Sequence, residues 1–164
     1  MEIRKTRPED IPRLKEIFDS AKAFMKERGN PSQWDETYPP EWMLLRDIEK
    51  GQSYVVEIDG RVAATFVYAL GDEPHYRVLD EGAWLNDDPY GTIHRIATDG
   101  TFHGLTALAA DYCRAICPNV KLDTHPDNLP MQKAAEALGF QRCGMITLDD
   151  GSRRILYQKD YREA

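Results

Sequence analysis

Two apolar runs, S-Y-V-V-E-I at Ser53–Ile58 and R-V-A-A-T-F-V-Y-A-L at Arg61–Leu70, are separated by Asp59 and Gly60 alone. An Asp-Gly pair tolerates the positive φ angles of a two-residue turn, so the runs are predicted to form an antiparallel hairpin. That hairpin rules out an all-helical chain, and the segments on either side of it decide the architecture.

Before the hairpin, Glu2–Thr6 alternates like a short strand. Arg7-Pro8-Glu9-Asp10 then leads into Ile11, Leu14, Ile17, Phe18, Ala21 and Met25, whose spacing marks one apolar helix face. A breaker-rich stretch, Gly29–Pro40, precedes a second helical pattern over Glu41–Lys50 that Gly51 ends. After the hairpin, Gly71–Gly91 reads as a long polar loop with room for one helical turn, and Thr92–Thr98 as a strand. The next helix carries Leu105, Leu108, Ala109, Tyr112 and Ile116 on one face and stops at Pro118. Val120–Thr124 is a strand, and Asp127 or Asn128 caps a helix with an early Pro130, a buried face of Met131, Ala134, Ala135 and Leu138, and a stop at Gly139. A last hairpin pairs Arg142–Leu148 with Arg153–Gln158 around Asp149-Asp150-Gly151. The expectation is a single α/β domain over residues 1–164, with a mixed, largely antiparallel sheet flanked by helices.

With 164 residues, 41% of them hydrophobic, the chain can build one continuous core. A formal net charge of -7 makes the surface repel polyanions, which argues against nucleic acid as a partner. The amino terminus has no apolar signal-type stretch and nothing approaches the ~18 apolar residues of a membrane span, so a soluble cytoplasmic protein is expected, with no membrane partner. Cys113, Cys117 and Cys143 are odd in number and lack a matching second pair, which favours reduced thiols over disulfides or zinc.

Chemistry enters at Thr98–Ala107, T-D-G-T-F-H-G-L-T-A, where a strand gives way to two glycines and at once to a helix. Such a junction aims unsatisfied N–H groups at one point, where the helix dipole adds about half a positive charge. A pyrophosphate suits it, although a glycine at this kind of turn is also ordinary turn chemistry. The lysine of a P-loop and the spacing of G-x-G-x-x-G are both missing.

The segments I-R-K-T-R-P-E-D-I-P-R-L, S-Y-V-V-E-I-D-G-R-V-A-A-T, I-H-R-I-A-T-D-G-T-F-H-G-L-T-A-L and D-N-L-P-M-Q-K-A-A-E-A-L-G-F together cover nearly the whole chain. In this order they resemble the Gcn5-related N-acetyltransferase (GNAT) family. The resemblance implies acetyl-CoA as co-substrate, with the backbone of Ile96, Ala97 and Thr98 pairing with the pantetheine arm as an added strand would. It also implies that Thr101, Phe102, His103, Gly104, Leu105, Thr106 and Ala107 hold the pyrophosphate and that Asn128 lies near the pantetheine. The family's phosphate loop runs Q/R-x-x-G-x-G/A, against Thr101, Gly104 and Thr106 here, so only the first glycine is kept. A second departure is Ala135, which stands where many members carry the tyrosine that protonates the leaving thiolate. Either another group takes that role or the thiolate leaves unaided.

An ammonium acceptor must lose a proton before its nitrogen can attack a thioester, and an imidazole titrates near neutral pH. His94, on the strand beside the expected thioester, is the candidate base; the competing reading is a packed strand residue. Trp34, Tyr38 and Trp84 lie on the two long loops and are candidates for binding a small amine or amino-acid-like acceptor, or for pinning those loops to the core. His103 and His125 match no metal spacing, and no metal is expected. Three functions remain in view: an N-acyltransferase, a catalytically weak CoA-binding or acyl-CoA-sensing module of the same fold, and a purely structural domain. Family members often pair through sheet edges or helices, so the resemblance carries a homodimer as the expected assembly.

Overall fold

The computed structural model describes residues 1–163. The fold is α/β, with strand pairing that is mixed and mostly antiparallel. Its elements run β1 (Glu2–Lys5), α1 (Ile11–Glu27), α2 (Glu41–Glu49), β2 (Ser53–Ile58), β3 (Arg61–Leu70), β4 (Glu81–Gly82), β5 (Gly91–Thr98), α3 (Leu105–Ile116), β6 (Asn119–Thr124), α4 (Leu129–Ala137), β7 (Gln141–Thr147) and β8 (Arg153–Asp160). Contacts gather these into two compact units, one of Met1–Tyr68 with His94–Leu105 and one of Ala69–Ile93 with Thr106 onward. Among the described residues no helix is long and apolar enough to cross a membrane.

In the first unit, Asp59 and Gly60 take φ of 51° and 77°, the doubly positive turn their sequence requires, and β2 and β3 pair antiparallel on either side of it. β1 adds to β2, also antiparallel. Ile11, Leu14, Ile17, Phe18 and Ala21 form the buried stripe of α1 and pack with Leu44, Val55, Val62 and Ala97. Each large side chain buried there contributes on the order of 1.5–3 kcal/mol. Arg4 ties β1 to both neighbours: its guanidinium donates to Asp10 at 2.9 and 3.0 Å and to Glu57 at 2.6 Å. The Arg4 hydrogen bonds hold the Asp10 carboxyl below the usual carboxylate range.

In the second unit, β6 pairs in parallel with the first three residues of β5, from Gly91↔Val120 to Ile93↔Leu122, and antiparallel with β8. β7 and β8 form the expected hairpin, and β4 pairs with β7 at Met145 and Gly144. The sequence predicts only loop at β4. A Cβ at Gly82 would lie 2.0 Å from the Cys143 carbonyl oxygen, and one at Gly144 would lie 2.1 Å from that of Glu81. The pairing therefore depends on two glycines, and glycine carries no strand signal.

The buried stripe of α3 also differs from expectation. Leu105, Ala109, Ala110 and Cys113 are buried, Leu108 and Tyr112 are half-buried, and Ile116 is 42% exposed. Leu105 and Ala109 are buried as expected, whereas Ala110 and Cys113 face inward where Leu108 and Ile116 were expected to. All three cysteines are free thiols; burial raises the Cys113 thiol well above its usual range and the Cys143 thiol above it.

Candidate active site

β5 ends at Thr98 and α3 starts at Leu105, so six residues, Asp99–Gly104, make the connection. Gly100 and Gly104 take φ of 91° and 79°, a region that L side chains enter only with strain. The turn is ordered by Asp99. One carboxylate oxygen accepts the Thr101 backbone N–H at 2.9 Å and its hydroxyl at 2.6 Å; the other accepts from Arg13 at 2.6 Å and from Arg61. Burial pushes the Asp99 carboxyl up, but the hydrogen bonds from Thr101 and Arg61 outweigh it and hold it at about 2. Arg61 also donates to the Thr101 hydroxyl at 3.0 Å, and the Asp99 N–H to the Ala63 carbonyl at 2.9 Å. Leu105, Thr106 and Ala107 form the first turn of α3, where N–H groups have no intrahelical acceptor. An added Cβ at Gly104 meets nothing within 4 Å, so the space beside the turn is open. Thr101, His103 and Gly104 are exposed and Phe102 is half-buried, as a ligand-holding turn requires.

The strand entering this turn is distorted one residue after His94. Arg95 takes φ of 48°, a left-handed conformation costing on the order of 1–3 kcal/mol for a non-glycine residue. Its side chain explains how the conformation is held: Nε and an Nη each donate at 2.8 Å to opposite oxygens of Asp47 on α2, and the second Nη reaches the Tyr38 hydroxyl at 3.3 Å. The Arg95 and Asp47 side chains are only 8% and 3% exposed. Burial lowers the Arg95 guanidinium, but Tyr38 and Asp47 outweigh it and its pKa is raised. His94 is half-buried, Ala97 is buried, and Ile96 and Thr98 are half-buried. The ladder with β6 ends at Ile93, before residues 96–98.

Tyr38 belongs to the loop between α1 and α2, where Trp34 meets Phe18 edge-on at 5.7 Å and Tyr38 at 5.6 Å between ring centroids. Trp34 thus pins the loop to α1, while Tyr38 lines an open cavity of about 290 Å³ with Phe18, Lys15, Lys22, Glu36 and Glu41. Trp84 lies in the second unit. Its indole N–H donates to the Tyr76 carbonyl at 2.9 Å and its ring packs on Tyr76, so it anchors the long loop.

Lys121 of β6 is buried, with Nζ 3.9 Å from the Trp84 ring centroid and 3.7 Å from that of Tyr90. Two aromatic faces stabilise the ammonium, but burial dominates and lowers its pKa to about 8 from 10.5. The unfolded chain therefore binds this proton more tightly than the folded one. The expected result is that stability gains a component rising from about pH 8 towards 10.5, and that Lys121→Met removes it. Urea midpoints of both proteins across that window check this; parallel curves would contradict it.

In the same unit Tyr76 donates its hydroxyl to Asp123 at 2.5 Å, and Asp123 faces Arg154 at 3.8 Å. His125 accepts the Asp127 N–H on Nδ1 at 3.0 Å, and burial with Arg154 lowers its pKa, which favours the neutral ring with its proton on Nε2. Asn128 caps α4 by accepting the Met131 N–H at 3.2 Å, the structural role read from its sequence. Ala135 is fully buried. No group of three or more His, Cys, Asp or Glu side chains converges to hold a metal among the described residues.

The structure thus places His94, Ile96–Thr98 and the Thr101–Leu105 turn in the first unit with Trp34 and Tyr38, and Thr106, Ala107, Asn128 and Trp84 in the second. Sequence reasoning missed Arg13, Asp47, Arg61 and Arg95. The available signal was the presence of Asp47 and Arg95 within otherwise apolar helix and strand faces, where buried charges occur paired.

A mixed α/β frame in which a strand leads through an ordered, glycine-bearing turn directly into a helix can hold an anionic ligand at the helix start. The family model described as the acetyltransferase (GNAT) family matches residues 14–140, and the chain belongs to this family. No curated protein matches it. Among solved structures, the chain is similar to a GNAT family acetyltransferase from Streptococcus agalactiae, at 32% identity over 97% of this chain and 94% of that one, with a TM-score of 0.84. A putative acetyltransferase from Staphylococcus aureus shares the fold at 22% identity, 98% and 99% coverage and a TM-score of 0.72. A GNAT family acetyltransferase from Listeria monocytogenes does so at 20% identity, 97% and 94% coverage and 0.71.

Proposed function

We propose that the chain works as one N-acetyltransferase domain that moves an acetyl group from acetyl-CoA to a small amine or amino-acid-like acceptor by direct attack on the thioester. The observation that carries this reading is the ordered Asp99–Gly104 turn feeding the first turn of α3. On this reading the N–H groups from Thr101 to Ala107 hold the pyrophosphate, the backbone of Ile96–Thr98 receives the pantetheine arm, and Asn128 lies beside it.

Tyr38, held by Arg95 and backed by Trp34, borders the cavity read as the acceptor's, and Trp84 remains the second aromatic candidate for acceptor binding. His94 takes the proton from the acceptor ammonium. The amine nitrogen then attacks the carbonyl carbon and the oxygen gains charge; as the tetrahedral adduct collapses, the C–S bond breaks to release the CoA thiolate and the nitrogen loses its second proton to give the neutral amide. Ala135 offers no proton, so the thiolate leaves unaided or takes one from another group. Such chemistry needs no metal, nucleic acid or membrane, and the reading is of a cytoplasmic enzyme that assembles as a homodimer.

The second reading, a CoA-binding or acyl-CoA-sensing module with little turnover, is favoured by Ala135 and Thr101. Release of free thiol from acetyl-CoA across a panel of amines separates the two: the enzyme reading expects acceptor-dependent thiol release, and binding without it would leave the sensor. For an active acceptor, His94→Ala is expected to lower kcat/KM by roughly 10²–10⁴-fold and to abolish the rise of rate with pH through neutrality. An unchanged pH profile would remove His94 from the mechanism.

A further inference from the structure

Members of the family carry glutamine or arginine at the first position of the phosphate loop, and this chain carries Thr101. A threonine hydroxyl brings no charge to a pyrophosphate. We infer that Arg61, from the start of β3, supplies that charge and contacts a phosphate oxygen of bound CoA. The inference rests on the reading of Thr101–Ala107 as the pyrophosphate site.

The guanidinium is already beside the loop. Its Nη2 donates to the Thr101 hydroxyl at 3.0 Å while Nη1 donates to Asp99, which fixes the side chain although it is 50% exposed. These two bonds leave most of its five N–H donors for a ligand. Asp99 is shared between Arg13 and Arg61, and Arg13 also faces Glu16 at 3.7 Å, so the attraction for an anion is local to the exposed Arg61 fork rather than a surplus of charge in the cluster. Both oxygens of that carboxylate are occupied, one by Thr101 and the other by the two arginines, so neither is turned towards an incoming anion. Gly100 and Gly104 leave open space on the adjoining backbone, where an added Cβ would meet nothing within 4 Å. A planar fork held at the edge of such a turn matches the oxygens of a phosphate, and hydrogen bonds to charged groups are about twice as strong as neutral ones.

Calorimetric titration of wild type, Arg61→Gln, Arg61→Lys and the double variant Arg61→Gln/Thr101→Arg with CoA and with dephospho-CoA tests this. Arg61→Gln is expected to weaken CoA binding roughly 10- to 100-fold, and the gap from wild type should narrow as salt is raised. Arg61→Lys should keep part of the affinity as a point charge, and arginine restored at position 101 should recover it. An equal loss with dephospho-CoA assigns the contact to the pyrophosphate; a loss confined to CoA assigns it to the 3′-phosphate. The inference is overturned if Arg61→Gln and Arg61→Lys, folded by circular dichroism, bind CoA within twofold of wild type, or if the loss is independent of salt and not recovered by Thr101→Arg. Absence of CoA binding by the wild type itself overturns the acyltransferase reading with it, so the two failures are told apart.

Discussion

Asp47→Ala is expected to destabilise the protein by about 3–5 kcal/mol, the cost of leaving a buried partner charge without its counter-ion. Arg95 cannot escape to water by a simple change of rotamer, because its side chain is 8% exposed and its backbone sits at φ 48°. Both hydrogen bonds to Asp47 disappear together, and the left-handed conformation loses the contact that holds it. Asp47→Asn keeps one acceptor and should cost less. Replacing the pair by Asp47→Leu and Arg95→Met together should recover much of the loss, since what is expensive is an unpaired buried charge rather than the absence of a pair. Urea unfolding of the three variants checks the order. A loss under about 1 kcal/mol for Asp47→Ala would mean that the pair behaves as an exposed surface bridge.

Arg95, the residue after His94, also donates to the Tyr38 hydroxyl, so loosening the pair frees the loop that lines the cavity proposed for the acceptor. A rise in acceptor KM in Asp47→Asn, with affinity for CoA kept, would be the kinetic counterpart.

Gly104→Val is expected to lower CoA affinity on the order of 100-fold, about 2.7 kcal/mol, while the protein stays folded. Nothing lies within 4 Å of a Cβ at this position, so the branch point of the new side chain enters open space. On the proposed reading a pyrophosphate must approach the backbone N–H groups of this turn closely, and the added methyl groups stand in its way. The φ of 79° adds a strain of roughly 1–2 kcal/mol, small enough for the fold to survive. Undiminished CoA affinity in a folded variant would place the phosphates elsewhere.

What could be read from the chain was local chemistry. The Asp59-Gly60 hairpin, the Asn128 cap with Pro130 behind it, the Gly139 stop and the α1 stripe each depend on residues within about one turn of one another, and each appears where expected. β4 was illegible because it is two residues long and its close approach to β7 depends on Gly82 and its partner Gly144, which carry no strand signal. The α3 stripe was read correctly at Leu105 and Ala109, but Leu108 and Ile116 drew the expected face away from Ala110 and Cys113. In the site, the strand, turn and helix around Gly104 were visible as a pattern. The charges that order them were not: Arg61 and Thr101 stand 40 residues apart, and Arg95 and Asp47 stand 48 apart. Tertiary contacts of that range leave no periodicity behind. Arg61, brought beside Thr101 from another strand, is the charge that only the fold reveals at this position.

Calorimetric titration of the wild-type protein with acetyl-CoA and with CoA bears most directly on the central claim, that the turn between β5 and α3 holds an acyl-CoA. Saturable binding of both, one ligand per chain and weakened by Gly104→Val, is the expected result; no binding of either at millimolar concentration would contradict it.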